Sequence, residues 1–212
     1  MKRVVNAVVF DADGTLLDTR EFILQAYEHT LAAYGHTVPE RDFIRGHMGL
    51  PLHDCYNVFA PGGDNDALCH MHDVFQKNNY ELIDSYEELV LTLDTLRDRG
   101  FKIGICSSRT NHLLEALERV GIKDHCDVII AGKDVTKHKP NPEGFLKALM
   151  AMSVSPDRAV MVGDTPQDIG AGKNGGAALT IGVTHGFGTR EALIEMGADH
   201  VVDRLSDIIP LL

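Results

Sequence analysis

No stretch of this 212-residue chain reaches the ~18 consecutive apolar residues that a membrane-spanning helix needs, so no membrane association is expected. Cysteine is sparse and scattered. Cys55, Cys69, Cys106 and Cys126 show no close spacing, and Cys106 lies inside an apolar run, which points to reduced thiols rather than a disulfide framework. Basic residues are outnumbered, with 20 Lys and Arg against 31 Asp and Glu, and they form no run. The net charge of -11 repels phosphate backbones, so nucleic acid is not an expected partner. The apolar run from Val4 to Phe10 follows Lys2 and Arg3 but ends in Asp11 and Asp13, not in a small-residue cleavage site, so the cytoplasm is the expected compartment. There is no internal repeat and no low-complexity tract.

What is present fits a folded enzyme-sized unit. A hydrophobic fraction of 44% and a charged fraction of 24% are ordinary for a globular protein. The length slightly exceeds the usual range of about 100 to 200 residues per domain, which suits one domain with a sizeable insertion or two small ones. Short apolar runs recur at Val4 to Phe10, Ile103 to Cys106, Asp127 to Ile130, Val160 to Val162 and Leu179 to Val183. Nearly continuous apolarity over so few residues suits strands buried on both faces. Amphipathic stretches such as Tyr86 to Arg99 and His112 to Val120 lie between them, giving an α/β pattern with a parallel sheet.

One gap breaks that rhythm. From Asp18 to about Tyr86 only helix-like segments are visible, at Arg20 to Tyr34, Leu52 to Val58 and Asp66 to Leu82, with a turn-prone Ala60-Pro61-Gly62-Gly63-Asp64 among them. A simple crossover is never so long, so residues 19–84 read as an inserted helical cap and residues 1–18 and 85–212 as the core.

In open α/β sheets, ligands sit beyond the carboxyl ends of the strands. The residues there are Asp11, Asp13, Gly14 and Thr15 after the first run, Ser107 and Ser108 after the second, and Asp164 and Asp168 after the fourth, with Lys139 shortly after the third. Asp11 and Asp13 alternate onto one side of the chain, and Gly14 permits a sharp turn that can aim amides at an anion. Two unit charges ~4 Å apart at an effective dielectric of ~20 repel by about 4 kcal/mol, so these carboxylates cannot share a site with a phosphate unless a cation joins them. An oxygen-only donor set, with Asp11, Asp13, Asp164 and Asp168 as candidate ligands, points to Mg²⁺. Asp11 is then placed to attack phosphorus and Asp13 to act as acid and base. Ser107 is placed to bond a phosphoryl oxygen, with Ser108 its competitor, and Lys139 to offset charge, with Lys137 its rival. Asp168, one helical turn beyond Asp164, serves to hold a metal water or to orient Lys139.

These residues resemble the four motifs of the haloacid dehalogenase superfamily, in order: DADGT with Asp18, the strand-end Ser107, Lys139 within Lys-Pro-Asn-Pro, and Gly163-Asp164-Thr165-Pro166-Gln167-Asp168. The resemblance covers almost the whole chain and is closest to the helical-cap subfamily of phosphoglycolate phosphatases, pyrophosphatases and β-phosphoglucomutases. It implies a Rossmann-like three-layer core with strand order 3-2-1-4-5 and a mobile cap. It also implies Mg²⁺-dependent hydrolysis of a small phosphorylated metabolite through an aspartyl phosphate, in a monomer or homodimer. A pyrophosphatase and a phosphomutase are the alternatives. The mutases carry a cap histidine where this chain has Ile23, and the dehalogenases that name the superfamily lack the aspartate found here at Asp13.

Three further features carry weaker signals. Arg45 and His47, in the segment 45–51 that contains Gly49, are candidate contacts to the leaving group. His70-Met71-His72 has the wrong spacing for a zinc pair on a helix and reads as surface and partial core. Gly186-Phe187-Gly188 reads as a loop after the fifth strand, without the sequel of a dinucleotide fingerprint.

Overall fold

A run of side chains that are all apolar has no face to give to water and has to be covered on both sides. Ala7–Phe10 (β1) is such a run, and all four of its residues are fully buried. The computed structural model describes residues 5–48 and 50–212, so Val4 of the first apolar run and Gly49 of the segment 45–51 lie outside the described residues. After β1 come a two-residue strand Leu17–Asp18 (β2), the helices Arg20–Ala33 (α1), Arg41–Arg45 (α2), Leu52–Phe59 (α3) and Asn65–Asn78 (α4), and a second short strand Asp84–Ser85 (β3). The chain then alternates through Leu89–Asp98 (α5), Lys102–Cys106 (β4), Leu113–Arg119 (α6), Val128–Ile130 (β5), Glu143–Met152 (α7), Ala159–Gly163 (β6), Pro166–Gly175 (α8), Leu179–Val183 (β7), Arg190–Glu195 (α9) and His200–Val202 (β8).

Six of the strands form one parallel sheet in the order β5-β4-β1-β6-β7-β8. Counting the five apolar runs, this is 3-2-1-4-5, with β8 added at the edge. No apolar run announces β8, because its three residues are exposed or half-buried. Alternation along β1 divides the core into layers. Val8 and Phe10 pack with Leu93 and Leu96 of α5 and Leu117 of α6, while Ala7 and Val9 pack with Phe145 and Leu149 of α7 on the other side. The two middle pairings set Phe10 level with Ile105 and with Val162, so Asp11, Ser107 and Asp164 emerge together at one sheet edge.

The helices α1 to α4 gather an apolar cluster of their own around Tyr27, Leu31, Ile44, Tyr56, Phe59 and Leu68. Tyr27 meets Tyr56 at 5.4 Å and Phe59 edge-on at 5.1 Å between ring centroids, the offset arrangement that aromatic quadrupoles favour. One helix serves both clusters. Phe22 of α1 points into the sheet-side core, and Leu24, Tyr27 and Leu31 into the helical one.

Three local features differ from the sequence reading. The antiparallel pair β2 and β3 brings Leu17 opposite Ser85 and Asp18 opposite Asp84, so the chain leaves and re-enters the sheet domain side by side; two residues are too few to show alternation. The short α2 carries too little periodicity to be seen. α4 stops at Asn78 rather than Leu82, because the Asn78 and Asn79 side chains donate to the carbonyls of Val74 and Phe75 at 3.0 and 2.7 Å and satisfy the last turn. Among the described residues no helix is long and apolar enough to cross a membrane.

Candidate active site

The turn after β1 is drawn tight by its own backbone. The amides of Leu16 and Leu17 both donate to the Ala12 carbonyl at 2.9 Å, and the Gly14 amide donates to the Leu17 carbonyl at 2.8 Å. Gly14 has φ of +80°, and a Cβ there would lie 2.3 Å from Asp164 Oδ2, so both conformation and space demand glycine. Gly14 and Thr15, beyond the first strand as expected, shape this turn. Their amides are spent inside the turn, and neither residue lines the cavity described below; instead the buried Thr15 hydroxyl donates to Asp164 Oδ1 at 2.9 Å.

Around that turn three buried carboxylates converge. One oxygen from each of Asp11, Asp164 and Asp168 lies within 4.8 Å of the others. Lys139 reaches between two of them, with Nζ 2.7 Å from Asp11 Oδ1 and 2.5 Å from Asp168 Oδ1. Asp168 is fully engaged, since its other oxygen accepts from the Thr165 amide at 2.9 Å and hydroxyl at 2.6 Å at the start of α8. Asp164 accepts from Thr15 and, through Oδ2, from the Phe187 amide at 2.7 Å.

Electrostatics expose what this cluster needs. Burial pushes the Asp11 carboxyl up to about 7 despite Lys139 beside it, and Asp168 adds to the rise. Burial, then Asp11 and Asp168, hold Asp164 well above the carboxylate range. Burial opposes the charge on Lys139, but Asp11 and Asp168 outweigh it and keep the amine protonated. Three carboxylates face one ammonium, which leaves an excess of about two negative charges when all are ionised. A divalent cation closes that sum, and an all-oxygen donor set suits a hard one such as Mg²⁺. Asp11 and Asp164 have the oxygens to hold it, while Asp168 is committed to Lys139 and Thr165.

Asp13 stands outside this cluster. Its carboxylate is clasped by Arg109, with Nη2 to Oδ1 at 2.5 Å and Nε to Oδ2 at 3.0 Å, apart from the three grouped carboxylates. Arg109 was not singled out from the sequence, although it is the first charged residue after the strand-end serines. It is buried, sits 5.2 Å over the Phe22 ring, and donates from Nη1 to Gln76 Oε1 of α4 at 3.4 Å. Ser107 lies beside it, its Oγ accepting from the Arg109 amide at 3.1 Å, and does not cap the following helix, which starts at Leu113. Ser108 borders the same space. Lys137 is exposed and only its amide is engaged, by Glu143.

Above these groups is a cavity of about 340 Å³, with Asp11, Asp13, Ser107 and Arg109 on one wall and side chains of the helical cluster on the other. Arg45 and His47 do not reach it. Arg45 pairs with Asp42 at 3.2 Å, and His47 bonds the Phe43 carbonyl at 2.8 Å and packs on Phe43 and Phe59. Met48, Leu50 and Pro51 of the same segment do line it, as does Leu52 at the start of α3. The loop after β7 also matters more than the sequence suggested. Phe187 holds Asp164 by its amide while its ring joins the helical cluster, and a Cβ on Gly186 would lie 2.1 Å from Asp164 Oδ2. An aromatic flanked by glycines beyond a strand's carboxyl end was the available signal.

A sequence model of haloacid dehalogenase-like hydrolases matches residues 8–181. The chain belongs to that family. This hydrolase is 36% identical over 213 residues to a Clostridium perfringens protein provisionally named pyrophosphatase PpaX, covering 98% of this chain and 97% of that one. It is 33% identical over 209 residues to the pyrophosphatase PpaX of Bacillus pumilus, covering 98% of this chain and 96% of its relative. Its fold matches a haloacid dehalogenase-like hydrolase of Streptococcus pneumoniae with a TM-score of 0.88 at 21% identity, over 98% of each chain.

Proposed function

We propose that this hydrolase is a Mg²⁺-dependent phosphatase of the phosphoglycolate phosphatase type, releasing phosphate from a small phosphorylated metabolite through an aspartyl phosphate on Asp11. The observation that carries the reading is Asp11 at the cavity floor, joined to Lys139 at 2.7 Å and clustered with Asp164 and Asp168. When bound, Mg²⁺ supplies charge neutralisation between these carboxylates and the substrate phosphoryl group.

The residues then divide the work. An Asp11 oxygen attacks phosphorus, and the bond to the leaving oxygen breaks as that oxygen takes a proton from Asp13. Water next attacks the phosphorylated Asp11, giving its proton to Asp13 and freeing phosphate and the carboxylate. Lys139 stays protonated and offsets charge on the transferring group, and Ser107, which shares a small pocket with it, serves a phosphoryl oxygen. As it stands Asp13 accepts both Arg109 donors, the arrangement of a base; delivering a proton requires that fork to loosen. Gln76 ties Arg109 to α4, so movement of residues 19–84 on the β2–β3 ribbon would reach Asp13 through this contact.

A pyrophosphatase is the second reading, favoured by the name its relatives carry. The free state of all four cysteines is consistent with a reducing cytoplasm. The test is phosphate release from p-nitrophenyl phosphate with and without Mg²⁺. Turnover that needs the metal is expected; turnover unchanged by a chelator would overturn the reading.

A further inference from the structure

Arg109 is the one lysine or arginine among the described residues that line the cavity over Asp11. Its backbone is fixed, the amide donating to Ser107 Oγ at 3.1 Å and the carbonyl accepting from the Gly132 amide at 2.8 Å. Only the side chain is left to move. Because Asp13 serves the leaving oxygen, the guanidinium that clasps it stands on the leaving side. Two other groups on that side are less suited to meet a charge. His53 is exposed and lies 4.0 Å from Asp66, and Asp73, itself an acid, accepts from Asn111 at 2.9 Å. His138 borders the small pocket of Ser107 and Lys139, on the phosphoryl side.

The guanidinium is held on two edges. Nε and Nη2 grip Asp13 at 3.0 and 2.5 Å, and Nη1 reaches Gln76 Oε1 at 3.4 Å, with the Phe22 ring 5.2 Å below. A guanidinium can only donate, so Gln76 turns its oxygen to Arg109 and gives its amide proton to His72 at 2.9 Å. Burial pushes His72 down to about 3, which leaves it a neutral imidazole able to accept from Gln76 and to donate from Nδ1 to the Tyr56 hydroxyl at 2.9 Å. The helical wall therefore supplies a fixed neutral acceptor for one edge of Arg109. The other edge is a fork on a carboxylate. The Arg109 side chain is only 6% exposed, and the surrounding wall of Ile23, Met48, Leu50 and Leu52 is apolar, so the fork does not open towards an uncharged leaving group and leave the guanidinium unpaired. A carboxylate or a phosphate presents the same two-oxygen edge as Asp13 and can take the fork in its place.

We propose that Arg109 reads the leaving group: its guanidinium passes from Asp13 to a second anionic group, a carboxylate or a phosphate within two bonds of the leaving oxygen, and so clears both Asp13 oxygens for that oxygen. This rests on the phosphatase reading, and it holds equally for phosphoglycolate and pyrophosphate, whose leaving groups both carry such an anion. The chemistry is unchanged: the phosphoryl group passes from the leaving oxygen to Asp11 and then to water, and the leaving oxygen takes the proton from Asp13. Gln76 and Phe22 keep their hold while the fork changes partner. p-Nitrophenolate departs without needing that proton, so its ester is turned over with the fork closed.

The test pairs each anion with a neutral counterpart, using the full chain at saturating Mg²⁺. In the native chain kcat/KM for 2-phosphoglycolate is expected to exceed that for its carboxamide by about tenfold or more, and the ratio to fall to about one in Arg109→Met. Calorimetry reads the same preference without turnover, with 3-phosphonopropionate against its carboxamide for the carboxylate and methylenediphosphonate against methylphosphonate for the phosphate. Arg109→Met leaves Asp13 unpaired, so binding is also measured in Asp13→Asn and in the double variant, which carries neither charge. Loss of the competitor in Asp13→Asn is expected to raise the preference for the charged ligand, and the double variant to abolish it. This pattern in either pair supports the proposal even if no ester is hydrolysed, a result that would sink the phosphatase reading alone. The proposal is overturned, with the phosphatase reading intact, by the absence of a preference in both pairs or by one that Asp13→Asn leaves unchanged. A preference that survives the loss of Arg109, as it would if His53 or His138 met the anion, overturns it too.

Discussion

The two walls of the cavity are built on opposite principles. On the sheet side the lining is built from charge: Asp11 and Asp168 share Lys139, Asp13 holds Arg109, and Asp164 accepts from Thr15 and Phe187. On the helical side the lining is mostly apolar, and its polar network of Tyr56, His72 and Gln76 faces inward among aromatic rings. The first wall is fixed by charge and tolerates few changes of chemistry. The second is fixed by packing and tolerates changes of shape, so one fold can keep a reaction and vary what it acts on.

The sharpest way to break this contrast is on the charged wall. Asp11→Asn keeps the shape and removes the attacking anion, and is expected to lower kcat by about 10⁴-fold or more, read by steady-state phosphate release. Lys139→Ala leaves the carboxylates facing one another without their ammonium. A fall of about 10² to 10³ in kcat is expected, measured at saturating Mg²⁺ so that lost metal affinity is not mistaken for it.

The helical wall is better probed by acid. The folded pKa of His72 is depressed to about 3 from 6.5, so between these values the unfolded chain binds the extra proton and stability is lost as pH falls. The slope approaches about 1.4 kcal/mol per pH unit below pH 6.5, which makes roughly 2.3 kcal/mol between pH 6.5 and 4.5. Asp11, raised to about 7 in the absence of metal, acts with the opposite sign and gains stability over part of that range. The readout is therefore the difference between the native chain and His72→Gln in urea unfolding at the two pH values. A variant with the same pH dependence as the native chain would contradict the assignment of a neutral buried His72. The smallest effect expected is that of Thr15→Val, which removes one bond from Asp164 and should weaken Mg²⁺ binding about tenfold, followed by metal titration.

The same contrast explains what could be read from the sequence. Asp11, Ser107, Lys139 and Asp164 were legible because short apolar runs mark strands, and parallel strands deliver the residues that follow them to one edge. The six-stranded order followed for the same reason, apart from β8, whose three exposed or half-buried residues carry no run. Arg109 was not legible, since nothing local distinguishes an arginine that will cross to Asp13, 96 positions away, from one left in water. Phe187 carried a local signal in its flanking glycines, but its partner Asp164 lies 23 positions away and only the fold joins them. Arg45 and His47 were chosen because they are polar and near the expected cavity, but a helical cap is ordered by burial. The segment turns its apolar residues Met48 and Leu50 to the cavity, beside Leu52 of α3, and leaves Arg45 to Asp42.

The account turns on Asp11 as the atom that receives the phosphoryl group. Rapid acid quench of the enzyme turning over a phosphorus-labelled ester, followed by peptide mapping, tests this directly. The label is predicted on the peptide containing Asp11, removable by hydroxylamine as an acyl phosphate should be, and absent from Asp11→Asn. Full turnover by Asp11→Asn, or label carried on Asp13 or Asp164 instead, would contradict it.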